Sequence, residues 1–179
     1  MEQDFEIRES EKDDRAVIEA LYPRSFPDED LLPLVRDLLR ETVVTVSLVA
    51  VQDERVVGNI MFTRCAVRGH ASTAALLAPL AVDPDYQGRG IGTELVRAGL
   101  RRLEQGGIAA VYVLGDPAYY GRLGFSREPS VKPPYSLPDK WADAWQSRHL
   151  ADNTGSLNGT LSLPEFWLDP ALWSESSSP

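Results

Sequence analysis

Between Leu76 and Gly106 the sequence passes from an apolar run through a glycine-rich loop into an amphipathic helix, and no other feature constrains the possible fold as much. Leu76-Leu77-Ala78-Pro79-Leu80-Ala81-Val82 reads as a buried strand, Asp83-Pro84-Asp85-Tyr86 as a turn, and Ile91–Gln105 as a helix. Gln87-Gly88-Arg89-Gly90-Ile91-Gly92 forms the junction. The first turn of a helix carries unpaired backbone N–H groups and a partial positive charge from the aligned peptide dipoles. Glycines there let an anion such as a pyrophosphate approach the backbone closely, and Arg89 and Thr93 offer further donors. The same glycines also suit a tight strand-to-helix turn that binds nothing.

The spacing excludes two nucleotide-binding motifs. A dinucleotide fingerprint needs G-x-G-x-x-G, but after Gly88 and Gly90 the third glycine position holds Thr93. A Walker loop needs Lys before Ser or Thr, and no G-K-[ST] occurs. The segment instead resembles motif A of the GNAT superfamily of acyl-CoA-dependent N-acyltransferases, roughly [QR]-x-x-G-x-[GA], which Gln87, Gly90 and Gly92 fill. The preceding V-x-P-x-Y-Q, from Val82 to Gln87, is similar as well. Further on, Tyr120, Gly124 and Phe125 match the superfamily's Y-x-x-x-G-F segment, and G-D-P-x-Y-Y from Gly115 to Tyr120 resembles its YhbS-like bacterial branch. The resemblance spans roughly residues 5 to 126 and continues more weakly to 168.

This resemblance implies an α/β fold in one domain, with a central mixed, splayed β-sheet covered by helices on both faces. It implies acetyl-CoA as cosubstrate, its pantetheine arm on the backbone of Leu80, Ala81 and Val82 and its pyrophosphate on Gln87, Gly88, Arg89, Gly90, Ile91, Gly92 and Thr93. An acetyl group would pass to a primary amine by direct attack in a ternary complex. A backbone N–H of Ala81 or Val82 would polarise the thioester, and Tyr120 would be the general acid for the departing thiolate, with Tyr119 as fallback. The general base stays open: many relatives carry a Glu on the central strands, Leu76 to Val82 has no carboxylate, and Glu29, Glu41, Asp116 or a water chain remain. An acyl-CoA sensor without turnover is the alternative. Relatives are often homodimers.

Length and composition agree with this class. At 179 residues and 19.8 kDa, with 43% hydrophobic and 25% charged residues, one soluble domain over residues 1–173 and a disordered tail at 174–179 are expected. A net charge of −9 disfavours nucleic acid and anionic membranes and suits a cationic or neutral small-molecule or peptide amine. Cys65 stands alone, so no intrachain disulfide forms, and two His without a paired Cys/His pattern indicate no metal. No apolar run approaches a membrane span and no signal segment opens the chain, so a cytoplasmic protein is expected.

Elsewhere the periodicity predicts a strand at Phe5–Arg8, a helix burying Ala16, Val17, Ala20 and Leu21 and ended by Pro23, and a second helix from about Asp28 burying Leu31, Leu34, Val35, Leu38 and Leu39. These helices would flank an acceptor entrance. Val43–Val51 and Val56–Val67 form a hairpin around Gln52-Asp53-Glu54-Arg55, with Cys65 packed as a small hydrophobe and His70 exposed beyond it. Pro79 requires an edge, a bulge or a break in pairing. The helix after the loop buries Ile91, Leu95, Ala98, Gly99 and Leu103 and stops at Gly106-Gly107, and Ile108–Leu114 is the next strand. Asp116 caps, Pro117 opens and Gly124 stops a short helix. After an extended proline-rich stretch, Asp139 caps a helix carrying Trp141, Ala144, Trp145 and His149, and Leu157–Leu163 is a last strand. Tyr135, Trp141 and Phe166 are candidates for an acceptor pocket.

Overall fold

A computed structural model describes residues 4–151 and 157–174. Apart from Ser174, the expected tail lies outside the described residues. The described strands form one mixed nine-stranded sheet flanked by helices, in the order β1-β2-β3-β4-β5-β8-β6, with β9 on the end of β3 and β7 on β9. The strands are β1 (Glu6–Glu9), β2 (Thr45–Gln52), β3 (Arg55–Val67), β4 (Thr73–Val82), β5 (Ala110–Leu114), β6 (Ser126–Arg127), β7 (Val131–Lys132), β8 (Trp145–His149) and β9 (Gly159–Ser162). The helices are α1 (Arg15–Ser25), α2 (Leu32–Arg40), α3 (Ile91–Gln105) and α4 (Pro117–Gly121). The chain divides into two compact units, residues 1–62 with 78–99 and residues 63–77 with 100–179, so β3, β4 and α3 each contribute to both.

In the first unit β1 runs antiparallel to β2, Ile7 opposite Ala50. The β2–β3 hairpin turns on Asp53 and Glu54, with φ of 51° and 65°, a two-residue loop whose positive φ values match the right-handed twist of the flanking strands. Val46, Leu48, Val49 and Ala50 on β2 and Val57, Ile60, Met61 and Phe62 on β3 are buried without regard to alternation, as in a sheet covered on both faces.

Both N-terminal helices depart from the sequence expectation. Pro23 lies inside α1 rather than ending it. It forfeits one ladder bond, but the Phe26 N–H reaches the Tyr22 carbonyl at 2.8 Å and closes the next turn. The buried stripe is Ile18, Leu21 and Tyr22, while Ala16, Val17 and Ala20 face solvent. The second helix starts at Leu32 instead of Asp28, which puts Pro33 in the first turn, where a missing N–H costs nothing. Its buried face, Leu34, Val35, Leu38 and Leu39, is as expected, whereas Leu31 precedes the helix.

In the second unit the parallel β4–β5 ladder sets Ala74–Leu76 against Ala110–Tyr112, and β5 pairs antiparallel with β8 up to Leu114 opposite Trp145. Pro79 lies beyond that ladder, joined to Ala78 by a cis peptide. The expected helix after Asp139 is absent: a single 3-10 turn, Asp139–Trp141, gives way to β8. The i, i+4 tryptophans suggest helical spacing, but the open edge of β5 supplies a full ladder of partners, and pairing overrides local pattern. Trp145 stacks on Tyr112 at 5.8 Å and meets Trp173 at 6.0 Å, which in turn meets Trp167 at 6.0 Å. Every indole N–H in that cluster is satisfied, by Val131 O at 2.7 Å, Thr63 Oγ1 at 2.9 Å and Trp167 O at 2.9 Å. Glu128 is buried because its carboxylate accepts from the Ser130 and Val131 N–H groups and from Ser147 Oγ, each at 2.7 Å.

α3 matches its predicted limits. Its C-terminus is a Schellman arrangement: Gly107 has φ of 82°, its N–H reaches Glu104 O at 3.1 Å, and Ile108 N–H reaches Leu103 O at 3.0 Å. Gly99 on its buried face is pressed against the Phe62 ring, where a Cβ would overlap ring carbons. Gly99→Ala should therefore destabilise the protein by about 1–3 kcal/mol through overpacking, despite the better helix propensity of alanine. Thermal unfolding should show a midpoint lower by about 2–4 °C per kcal/mol.

Candidate active site

The predicted residues fall on two segments: the end of β4 with its loop and the start of α3, and α4. On β4 the backbone direction decides which groups are available. Asp83 N–H donates to Val57 O on β3 at 2.8 Å. Peptide groups alternate sides along a strand, so those of Ala81 also turn toward β3, while those of Leu80 and Val82 face the opposite edge. Consistently, a Cβ on Gly58 of β3 would lie 3.4 Å from Ala81 O, and 3.0 and 3.1 Å from Leu95 and Ile91 of α3. The missing side chain lets α3 seat its first turn against the sheet.

The Val82 carbonyl accepts from Ser25 Oγ at 3.0 Å and from Gln87 Nε2 at 3.0 Å. Both its lone pairs are used, which leaves the N–H as the free backbone group of Val82. Gln87, expected at the ligand, thus holds the strand end. Asp83 organises the turn: its Oδ1 accepts from Asp85 N–H at 2.9 Å and from Arg24 at 2.9 Å, and Arg24 also reaches Asp85 at 3.3 Å. Arg89 lies over the Tyr86 ring at 5.1 Å and donates to Asp85 O at 3.3 Å, so its guanidinium is folded onto the turn.

Gly88 and Gly90 have φ of 77° and 83°, which side chains rarely adopt, yet a Cβ on either would meet nothing within 4 Å. Backbone conformation, not crowding, requires these glycines, and the space before them is open. The first bond of the helix runs from Glu94 N–H to Gly90 O at 3.0 Å. Among the described residues, the N–H groups of Gly88, Arg89, Gly90, Ile91 and Gly92 have no acceptor in the chain. Ile91 is buried against the sheet and Thr93 is half-buried at the helix start. The loop therefore presents consecutive backbone donors and the positive end of a helix dipole to an open space, an arrangement suited to a phosphate or pyrophosphate.

α4 starts as expected and ends at Gly121, ahead of the expected stop at Gly124. Asp116 caps it by accepting from Ala118 N–H at 2.9 Å, and Gly124 turns the chain out with φ of 87°. The cap commits the Asp116 carboxylate and removes it as a ready general base. Tyr120 is buried, edge-on to Tyr119 at 5.0 Å and to Phe125 at 5.5 Å. Its ring occupies the place of a Gly115 side chain, where a Cβ would come within 2.5 Å. Burial, with a smaller effect of Tyr119, raises the Tyr120 pKa above the ordinary phenol value. Its hydroxyl has no hydrogen-bond partner among the described residues and stays protonated at neutral pH. Tyr119, the fallback, has Arg122 5.7 Å from its ring centre.

Other nucleophiles and bases are structural. Burial pushes the Cys65 thiol up to about 12. His70 is half-buried and its Nε2 meets the Asn158 carbonyl at 3.0 Å. No group of three or more His, Cys, Asp or Glu able to hold a metal occurs among the described residues. No described helix is long and apolar enough to cross a membrane. Of the supporting residues, Asp83 was legible as the polar residue before a proline-led turn, whereas nothing in the local sequence marks Ser25 or Arg24.

Comparison with known proteins agrees with this geometry. Residues 8–125 match the model of the acetyltransferase (GNAT) family. The uncharacterized N-acetyltransferase YhbS of Escherichia coli K12 is 39% identical over 153 residues, covering 83% of this chain and 88% of the relative. YjhQ, another uncharacterized N-acetyltransferase of that strain, is 33% identical over 164 residues, covering 88% and 91%. The crystal structure of E. coli YhbS in complex with CoA superposes with a TM-score of 0.84 at 34% identity, covering 93% of each chain. A GNAT family acetyltransferase from Brucella melitensis in complex with acetyl-CoA superposes at 0.73 with 27% identity, covering 91% of this chain and 97% of that one.

The Cys65 environment makes a chemical prediction. With its pKa near 12, only about one thiol in ten thousand is ionised at pH 8. Intact mass after treatment of the folded protein with iodoacetamide at pH 8 should show no adduct, and treatment in denaturant should show one.

Proposed function

This chain belongs to the acetyltransferase (GNAT) family, and on that premise we propose that it transfers an acetyl group from acetyl-CoA to a primary amine by direct attack in a ternary complex. The observation that carries the reading is the run of unpartnered N–H groups from Gly88 to Gly92 facing open space at the start of α3. They receive the pyrophosphate of the donor. The pantetheine arm lies along the β4 edge that faces away from β3, where Leu80 and Val82, and not Ala81, offer backbone groups. Both compact units serve one acyltransferase domain, since the family match runs across their boundaries.

The Val82 N–H polarises the thioester oxygen, and the amine lone pair attacks the carbonyl carbon. Collapse of the tetrahedral adduct breaks the C–S bond, the Tyr120 hydroxyl protonates the departing thiolate, and the proton lost by the adduct nitrogen as it becomes the amide returns through water to the Tyr120 phenolate. Its raised pKa keeps that proton in place through neutral and mildly alkaline pH. An alkylammonium acceptor, with a solution pKa of about 10.4, loses its extra proton before attack, and water carries that proton away. Most of the acceleration comes from holding amine and thioester in contact.

A cleft of about 360 Å³ lined by Tyr22 on α1, Phe26 just after it, and Asp28, Glu29 and Asp30 ahead of α2 is the acceptor entrance in this reading. Its carboxylates and the net charge of −9 favour a cationic amine. The relatives named N-acetyltransferases favour turnover over a sensor role.

Thermal unfolding with acetyl-CoA, CoA and NAD tests the donor site. Acetyl-CoA and CoA at about 100 times their dissociation constants should stabilise by roughly 2.7 kcal/mol, and NAD should not. No shift with any of them at millimolar concentration would remove the donor reading. Once a panel of cationic amines has identified an acceptor, Tyr120→Phe should lower kcat about a hundredfold while leaving CoA affinity unchanged. An unaltered kcat would take Tyr120 out of the mechanism. Because the Tyr120 pKa is raised, the wild-type rate should not fall through its ionisation until the pH exceeds the ordinary phenol value of about 10.

A further inference from the structure

We propose that the last turn of α1 positions the donor-binding edge of β4, with Ser25 as the positioning residue; this rests on the acetyl-CoA reading above. Tyr22 anchors the helix. Its buried hydroxyl donates to Asn59 Oδ1 at 2.6 Å, and the Asn59 amide donates in turn to Leu48 O at 2.9 Å and to Ser47 Oγ at 3.1 Å. These bonds tie α1 to β3 and β2 and fix the orientation of the Asn59 side chain. Three residues on, Ser25 projects from the same helical face and donates to the Val82 carbonyl. Between them Arg24 takes the Asp83 carboxylate, which is buried and also caps the following turn.

The 82–83 peptide is therefore held at both ends, its N–H on Val57 O and its carbonyl by Ser25 and Gln87. A carbonyl at an unladdered strand edge would otherwise take water or a donor from whatever lies beside it. With both lone pairs filled, Val82 offers a ligand its N–H alone. Ser25 thereby fixes the outward edge of the strand along which the pantetheine arm lies. The turn that leads to the glycine loop has its own bonds, joining Asp83 and Arg24 to Asp85, and these do not involve the Ser25 hydroxyl.

That separation gives the test. ADP carries a pyrophosphate but no pantetheine arm. Ser25→Ala should weaken acetyl-CoA binding about tenfold by calorimetry, as loss of one positioning hydrogen bond implies, and leave ADP competition unchanged. Ser25→Thr, which keeps the hydroxyl, should restore acetyl-CoA binding. In the ligand-free protein, Ser25→Ala should also speed hydrogen exchange at Asp83, whose amide shares the held peptide. Equal acetyl-CoA affinity in wild type and Ser25→Ala, or a parallel loss of acetyl-CoA and ADP binding, would overturn the positioning role alone. Absence of acetyl-CoA binding by the wild type would overturn the donor reading, and the positioning role with it.

Discussion

The hydrogen bond from Asp83 N–H to Val57 O sets the phase of β4, and the chemistry of the segment depends on that phase. Because peptide groups alternate, it sends Ala81 toward β3 and leaves Leu80 and Val82 facing the other way. The Asp83 carboxylate then caps the turn at Asp85, and Arg24 neutralises it. A buried carboxylate without that cation and N–H would be costly, so strand end, turn and helix α1 are held as one assembly. Shifting the register by one residue would exchange the directions of Ala81 and Val82 and turn the outward-facing groups toward β3.

Downstream of this junction the donor site proposed above is made of backbone. Gly88 and Gly90 adopt left-handed φ with open space around them, which aims successive N–H groups outward without side chains in the way. Arg89, the one cation in the loop, lies on Tyr86 and Asp85 O. What the loop would offer an anion is therefore peptide dipoles rather than a point charge. On α4 the balance is reversed. Backbone capping by Asp116 and the bare Cα of Gly115 exist to seat one side chain, the Tyr120 phenol, in a dry place where it keeps its proton.

Errors in reading the chain share a cause. The Trp141 to His149 stretch has helical spacing, yet Trp145–His149 is a strand because β5 offers it a complete ladder. Pro23 looks like a stop, yet α1 continues because Tyr22 is bonded into the sheet and the final turn closes around it. Ala16, Val17 and Ala20 look like a buried stripe, but the sheet meets the face carrying Ile18, Leu21 and Tyr22. In each case a partner distant in sequence outweighs a local preference, a fraction of a kcal/mol per residue for most side chains and about 3 kcal/mol for proline inside a helix. Gln87 fits the family pattern, but nothing in the pattern tells that its amide turns back to Val82.

Two properties follow from sequence alone. The limits of α3 and the start of α4 were legible because Gly107, Asp116 and Pro117 act through φ, a missing N–H or a side-chain cap, all effects contained within a few neighbouring residues. The glycine motif and the Tyr120-Gly124-Phe125 spacing were legible for the same reason, and they were enough to indicate the family. The tertiary structure alone decided which β4 peptide groups face outward, that Ser25 and Arg24 support that edge, and that Tyr120 is buried with no partner for its hydroxyl among the described residues. Those properties depend on strand register and on contacts between residues as far apart as Ser25 and Val82, and no local propensity encodes either.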